Sequence, residues 1–431
     1  MVIDKKAKIR EIENVVNRSY VKILGRYPDD GGKKGFINSI LGGNIDLASM
    51  EHKLMQSAEF SDRLNRYCRS HGRDITTLPR GFVPPRLPGD PVLDGYDLIE
   101  GGNDVTSFNR SVVLVSTWGI KCGIATYSGY LMKELKKLGV SVDIFPINSG
   151  ITNQLIPGKL LELEHEFGIM PTMVHTESNC IICWHTVPVH IVDAVRMFER
   201  SGNVVAHIVH SEEAANFIRK SVVSRDIYTI AHGSKIMPDI DKEKARMLLD
   251  LEDTYGIKDN DKFAFVFGFQ APSKNFNEMI AATRKAGIKL VISGAKHQCG
   301  YESEVVIKDN TIFLGKWLSD VEIDLWALSS DMLIFDYQKQ AHYSCSGAMH
   351  RTVGAGRPVV CSRTMHFTDI KEGADCLKFD GMEELTLKIK EALMDGKSEE
   401  LGKKAADYAK KTSWLEVAKK RVEIYKKYSS L

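Results

Sequence analysis

Residues 344–362 read SCSGAMHRTVGAGRPVVCS. Three short elements follow one another there. Ser344, Ser346 and Gly347 are cap and turn residues, so a helix is expected to open at Gly347. Its first N–H groups have no partner within the helix and suit an anion. Gly354 and Gly356 end the helix, and Pro358 leads into a buried strand, PVVCS. A phosphate-holding helix start followed by a buried strand predicts an α/β protein with a nucleotide-type ligand.

Outward from this stretch, apolar strands alternate with helical segments. VVLVS (112–116) precedes TWGIKCG and a helix expected over 125–138, followed by VDIFPI. CIICW (180–184), VVAHIV (204–209) and IYTIA (227–231) continue the series. A second series runs FAFVFG (263–268), KLVIS (289–293), TIFLG (311–315), MLIFD (332–336) and PVVCS (358–362). Such alternation gives parallel, doubly wound sheets that bind ligands at the carboxyl ends of their strands. A polar passage near 238–260 separates the series, so two Rossmann-like domains facing a cleft are expected, over 110–236 and 237–411.

Before them lies something different. Ile9, Ile12, Val15, Val16, Tyr20, Ile23 and Leu24 recur at helical spacing. GRYPDDGGKKG (25–35) reads as a turn cluster, with helices expected at 35–41 and 46–66. Five of the 13 prolines fall between Pro79 and Pro91. Residues 1–70 therefore read as a small all-α domain and 71–109 as a linker. At the other end, residues 412–431 read as a helix that docks by Trp414, Val417, Ala418, Val422 and Tyr425 and leaves its lysines in water. Those lysines would also suit an anionic membrane surface.

The formal net charge of +2 over 431 residues argues against nucleic-acid binding through bulk charge. The charged start MVIDKKAKIREIE has no apolar signal core, and no apolar run is long enough to span a bilayer, so a cytoplasmic protein is expected. The eight cysteines read as reduced thiols; Cys180 and Cys183 fall within a strand, a poor setting for zinc. Neither H-E-x-x-H nor Asp-x-Asp after a first-domain strand is present, and no metal is expected.

Chemistry-bearing residues cluster where strands end. Gly119 and Gly123 lie between a strand and a helix, without the G-x-G-x-x-G fingerprint of nicotinamide binding. Lys274 follows FAFVFG and precedes a helix, where a cation can neutralise a diphosphate leaving group. His185, His207, His210 and His232 end or follow strands, and His165 lies in LELEHEFGI.

In this order, WGIKCGIATYSGYL, HEFGI, WHTVP, IAHGS, GFQAPSKN, FLGKWLSDVEID, SGAMHRTVGAGRPVV and the terminal SW-containing helix resemble glycosyltransferases of the GT-B fold. The resemblance is to the large retaining family 4, group 1. It implies an enzyme that moves a sugar from a nucleoside diphosphate to a glycan, lipid-linked or other hydroxyl acceptor, without a metal or other cofactor. It implies His185 beside the transferred sugar as a catalytic residue, with Lys274. Gly123, Lys274, Ser346, Gly347 and Ala348 would hold the diphosphate. Lys316, Trp317 and Arg351 would lie on the nucleobase and ribose side, and His165 and Tyr343 on the sugar side. The family's Glu-x7-Glu pair is missing, its two positions being Tyr343 and Arg351. The alternatives are a catalytically degenerate GT-B scaffold that binds nucleotide sugar or glycan, and a GT-B sugar-nucleotide epimerase. Separately, RSYVKILGRYPDDGG (18–32) and SAEF (57–60) resemble a helical domain of unknown function often fused to such enzymes.

Overall fold

The computed structural model describes residues 16, 19–20, 23–24, 28–41, 47–70, 74, 76, 112–118, 122–146, 160–165, 178–188, 203–220, 226–295 and 305–428. The chain forms two compact units, Met1–Phe108 and Asn109–Leu431. Apart from Asp74 and Thr76, the segment read as a linker lies outside the described residues, as do Gly119 and the residues EFGI after His165.

In the first unit, helices span Asp30–Leu41, Leu47–Met55 and Ala58–Ser70. They differ from the expected 35–41 and 46–66 for local reasons. The Asp29 carboxylate accepts the Gly32 N–H at 2.8 Å, which starts the helix five residues early. The Ser57 hydroxyl accepts the Phe60 N–H at 3.1 Å and starts a separate helix within the span read as one. Val16, Tyr20, Ile23, Met50, Leu54 and Phe60 form the core of this unit.

The second unit carries two six-stranded parallel sheets. The first contains β1 (Val112–Ser116), β2 (Val142–Pro146), β3 (Leu160–His165), β4 (Asn179–Trp184), β6 (Val204–Val209) and β7 (Asp226–Thr229), in the order β2-β1-β3-β4-β6-β7. The second contains β8 (Phe263–Phe269), β9 (Lys289–Ala295), β10 (Thr311–Phe313), β11 (Met332–Phe335), β13 (Val359–Ser362) and β14 (Leu377–Phe379), in the order β10-β9-β8-β11-β13-β14. This is the GT-B arrangement of two doubly wound domains. A short antiparallel pair joins the halves: β5 (Thr186–Pro188) lies against β12 (His342–Ser344), with Tyr343 opposite Val187.

The strands form because their apolar runs are covered on both faces. Val112 to Val115 are fully buried, as are Phe263, Phe265 and Met332 to Phe335. Local signals place the helices between them. Ser319 and Glu322 form a capping box for Asp320–Ser329, and Ser211 caps Glu212–Arg219. The last helix, Trp414–Tyr428, crosses back to the first sheet and packs Trp414, Val417, Ala418, Ile424 and Tyr425 into its core. Val422 is only partly buried there. Among the described residues, no helix is long and apolar enough to cross a membrane.

Strand β3 is absent from the sequence reading. Its residues LLELEH alternate acid and leucine, the pattern of a half-solvated strand, yet Glu162 and Glu164 are both fully buried. The Arg421 guanidinium lies 3.2 Å from Glu162, and the Tyr425 hydroxyl donates to the same carboxylate at 2.5 Å. Glu164 pairs with His185 at 2.8 Å. The partners come from distant parts of the chain, so the local pattern misleads.

Candidate active site

A cavity of about 400 Å³ lies where the carboxyl ends of the two sheets meet. Lys274 enters it from the turn after β8. Gly268 has φ +140°, and a Cβ there would lie 2.0 Å from the Lys274 Nζ, so glycine both permits the backbone and leaves room for the lysine. The Nζ donates to the Phe267 carbonyl at 3.5 Å and sits 4.9 Å from the centre of the Tyr337 ring. No carboxylate pairs with it among the described residues. An ammonium held over a cavity without an acidic partner is ready for an anion.

The helix Gly347–Thr352 opens beside it. Ser346 is its cap: the hydroxyl accepts the Met349 N–H at 3.2 Å and lies 2.8 Å from the Tyr337 hydroxyl. Tyr337 thus ties the helix start to the lysine. Ser346, Gly347 and Ala348 all line the cavity. A Cβ added at Gly347 would meet only the His232 Nε2, at 3.7 Å, and one at Gly123 would meet nothing within 4 Å. Neither glycine is required by packing; both present bare backbone to the cavity.

From the first sheet come His185, at the end of β4, and His210 and His232, after β6 and β7. Tyr127 stands among them, its ring 4.5 Å from His185 and 5.1 Å from His232. The Arg421 Nη2 donates to the Tyr127 hydroxyl at 2.7 Å, so the helix that crosses back also braces the floor of the site. His232 stacks on His350 at 4.6 Å. His350 is clamped between Asp369, at 2.5 Å, and the Ser234 hydroxyl, at 2.8 Å.

Burial keeps the imidazoles uncharged. The pKa of His185 falls to about 3, and those of His210 and His232 lie well below the usual value. Desolvation raises Glu164 to about 7. The Arg421 cation beside it works against that rise.

Three other expected residues line the cavity wall, and the two charged ones are already paired. Lys316 pairs with Glu322 at 2.7 Å and is largely exposed. Trp317 meets Phe269 with ring centres 5.3 Å apart. Arg351 lines the cavity but forms an ion pair with Asp320, which also accepts the Tyr130 hydroxyl at 2.7 Å. The Asp320 carboxylate therefore joins the two domains, and Arg351 pairs with it from its own side. Tyr343 does not reach the cavity. His342 and Ser344 line it, and strand alternation turns the intervening Tyr343 to the other face, against Phe217 at 5.8 Å. The His165 side chain lies outside the described residues, although its backbone ends β3.

His342 and His366, which the sequence does not single out, line the cavity beside Lys274. Not one Asp or Glu is among the described residues of the wall. The structure does bring Cys183, His185 and His210 together, with one ligand atom of each within 4.8 Å of the others, which is close enough for a metal. The Arg421 guanidinium, 3.3 Å from the Cys183 sulfur, opposes a cation there, and burial raises that thiol well above its usual pKa.

No protein-family model matches the chain, and no curated protein is significantly similar to it. Solved structures are similar. HepE of Anabaena, in complex with UDP and glucose, superposes with TM-score 0.54 at 12% identity, over 74% of this chain and 100% of that one. A glycosyltransferase from Rickettsia africae gives 0.57 at 12% identity, over 74% and 99%. WaaG, a glycosyltransferase of lipopolysaccharide biosynthesis, gives 0.52 at 12% identity, over 73% and 99%. Asn109–Leu431 thus carries the fold of the GT-B glycosyltransferases.

Proposed function

We propose that this chain is a metal-independent, retaining glycosyltransferase that uses a nucleoside-diphosphate sugar. The observation that carries the reading is Lys274, an ammonium without an acidic partner among the described residues, beside the helix start at Ser346 in a cavity between two facing domains. The transferred group passes from a diphosphate oxygen to an acceptor hydroxyl. As the bond from the anomeric carbon to the leaving oxygen breaks, negative charge grows on the diphosphate. Lys274 and the backbone N–H groups of Gly347 and Ala348 stabilise that charge. The acceptor oxygen bonds to the anomeric carbon on the same face, and its proton passes to the departing diphosphate. Retention rests on the family resemblance of the motif series.

Lys316 and Trp317 would flank the nucleobase. His185 would face the transferred sugar, its ring direction fixed by Glu164. The acceptor, a glycan or lipid-linked hydroxyl, would enter from the first domain. UDP and glucose in the HepE complex are ligands of that protein; here they supply the first compounds to try.

The test is a thermal-shift panel of nucleoside diphosphates and sugar nucleotides, followed by donor turnover. A ligand at about 100 times its Kd adds about 2.7 kcal/mol, which a melting curve resolves. Stabilisation by one nucleotide series and cleavage of its sugar form are expected. Binding without turnover toward any acceptor or water would indicate a scaffold; no binding at all would overturn the reading.

A further inference from the structure

Resting on that donor reading, we infer that His366, steadied by His342, recognises the sugar of the nucleotide donor.

The wall of the cavity has an order. Trp317 and Phe269 meet at 5.3 Å. Phe269 follows Gly268, over which Lys274 lies. The Lys274 Nζ is 4.9 Å from the Tyr337 ring, Tyr337 is 5.1 Å from His366, and His366 is 5.0 Å from His342. A sugar nucleotide has the same order of parts: base, diphosphate, sugar. With the aromatic pair at one end and the cation in the middle, the sugar falls against the two imidazoles.

The chemistry of this end fits hydroxyl groups. Sugar recognition needs acceptors as well as donors, and no carboxylate is among the described residues of the wall. Two neighbouring side chains are not available: Tyr343 packs away on Phe217, and Arg351 is bound to Asp320. A neutral imidazole offers one donor and one acceptor. His366 is kept in that form, its pKa lowered to about 4 by burial, with His342 and the Lys274 cation adding to the effect.

His366 is also held still. It lies in the turn Met365–Phe367 after β13, with Tyr337 edge-on at 74° and His342 edge-on at 70°. Its Nδ1 is buried and has no hydrogen-bond partner. Tyr337 links it to both Lys274 and Ser346, so one tyrosine aligns the diphosphate and sugar ends.

Calorimetry separates this proposal from the donor reading itself. Wild-type protein is titrated with UDP, GDP and dTDP and with the glucose, galactose, mannose and N-acetylglucosamine nucleotides of each. The tightest sugar nucleotide is expected to bind at least tenfold better than its own diphosphate. His366→Phe should abolish that increment and leave the diphosphate Kd within about twofold. His366→Gln, which keeps a donor and an acceptor, should restore part of it and serves as the measurement if the Phe variant does not fold. An increment that survives in either His366→Phe or, failing that, equals wild type in His342→Phe together with His366→Gln overturns the assignment. So does a wild type in which no sugar nucleotide outbinds its diphosphate. If no diphosphate binds wild-type protein, the donor reading itself has failed.

Discussion

The Glu164 carboxylate and the His185 imidazole hold each other at 2.8 Å, Oε2 to Nε2, from the adjacent strand β3 and the end of β4. Glu164 is fully buried and His185 almost so. Desolvation raises the acid to about 7 and lowers the base to about 3, so the pair carries at most one negative charge near neutrality. The charge state of the acid decides the tautomer. When Glu164 is ionised, Nε2–H donates to it and the other ring nitrogen is an acceptor. When Glu164 is protonated, Nε2 accepts and the other nitrogen carries the proton.

Turnover should therefore change with an inflection near pH 7 that belongs to Glu164. In Glu164→Gln the inflection should vanish, because the amide does not titrate, while the melting temperature stays level or rises once a buried carboxyl is gone. The measurement is a pH–rate profile of donor cleavage for both proteins between pH 5.5 and 8.5. An unchanged inflection in the variant would detach Glu164 from the site.

Lys274 and Gly268 make a paired prediction. Lys274→Met removes the cation proposed to face the leaving group and should lower turnover about 10² to 10³-fold with little change in stability. Gly268→Ala should act on the same function from the backbone. Its Cβ would lie 2.0 Å from the Nζ, at φ +140°, so the lysine must leave its place. Nucleoside-diphosphate affinity should fall in both. Full affinity in Lys274→Met would remove it from the site; loss in Lys274→Met alone would show that the lysine tolerates displacement.

What the sequence discloses here follows from where the information sits. The strands VVLVS and MLIFD are legible because continuous apolar runs bounded by turns belong to buried parallel strands. Lys274, His185, Ser346 and Gly347 are legible because each sits at a strand end or helix start, and the cavity brings them together. LLELEH is not legible, since its burial depends on Arg421 and Tyr425, more than 250 residues away along the chain. β5 and β12 are three-residue strands that exist only as each other's partner. That is also why His342 lines the cavity and Tyr343 does not: the register of a strand that pairs across domains decides which of two neighbours faces it. His366 belongs to no local pattern, and only the fold carries it to Lys274.

Acid unfolding should be flat and then abrupt. In the folded chain His185 and His366 protonate only near pH 3 to 4, against an ordinary 6.5, and burial holds His210 and His232 well below that ordinary value too. Depressed bases contribute stability above pH 6.5 that is lost as the pH falls, because the unfolded chain takes up the protons first. Glu162, Glu164 and Asp336 do the reverse: folded, they protonate near 7, against 4.5 for glutamate and 3.8 for aspartate. Raised acids gain stability as the pH falls from 7 toward 4.5. The two sets oppose each other in that window. Below it the acids protonate in both states and only the loss from the imidazoles continues. Melting temperature should change little between pH 7 and 5 and drop steeply below about 4.5. A steep, steady loss beginning at pH 7 would show that the carboxyls do not offset the histidines.

Arg421 is fully buried, 3.2 Å from Glu162 and donating to the Tyr127 hydroxyl at 2.7 Å. Removing it leaves a buried carboxylate without its counter-charge. Arg421→Met should cost about 3 to 5 kcal/mol, read by urea unfolding of the whole chain. Adding Glu162→Gln should recover most of the loss, since the pair is then replaced by two uncharged groups. A single variant as stable as wild type would mean that Glu162 is already protonated in the native state, and the double variant would then bring no recovery.

Metal dependence is the remaining test of how the leaving group is stabilised. A divalent ion at a diphosphate needs hard oxygen ligands from the protein, usually carboxylates. None is among the described residues of the cavity wall, whereas Lys274 and the helix start at Ser346 are there. The trio Cys183, His185 and His210 has the spacing for a softer ion such as zinc, but Arg421 stands 3.3 Å from its sulfur and the thiol resists ionisation. Donor turnover should survive dialysis against EDTA within about twofold, and elemental analysis should find less than one zinc per chain. Loss of activity restored by magnesium or manganese would move the diphosphate away from Lys274. Loss restored by zinc alone would instead assign the trio to a metal and make His185 a ligand rather than a contact to the sugar.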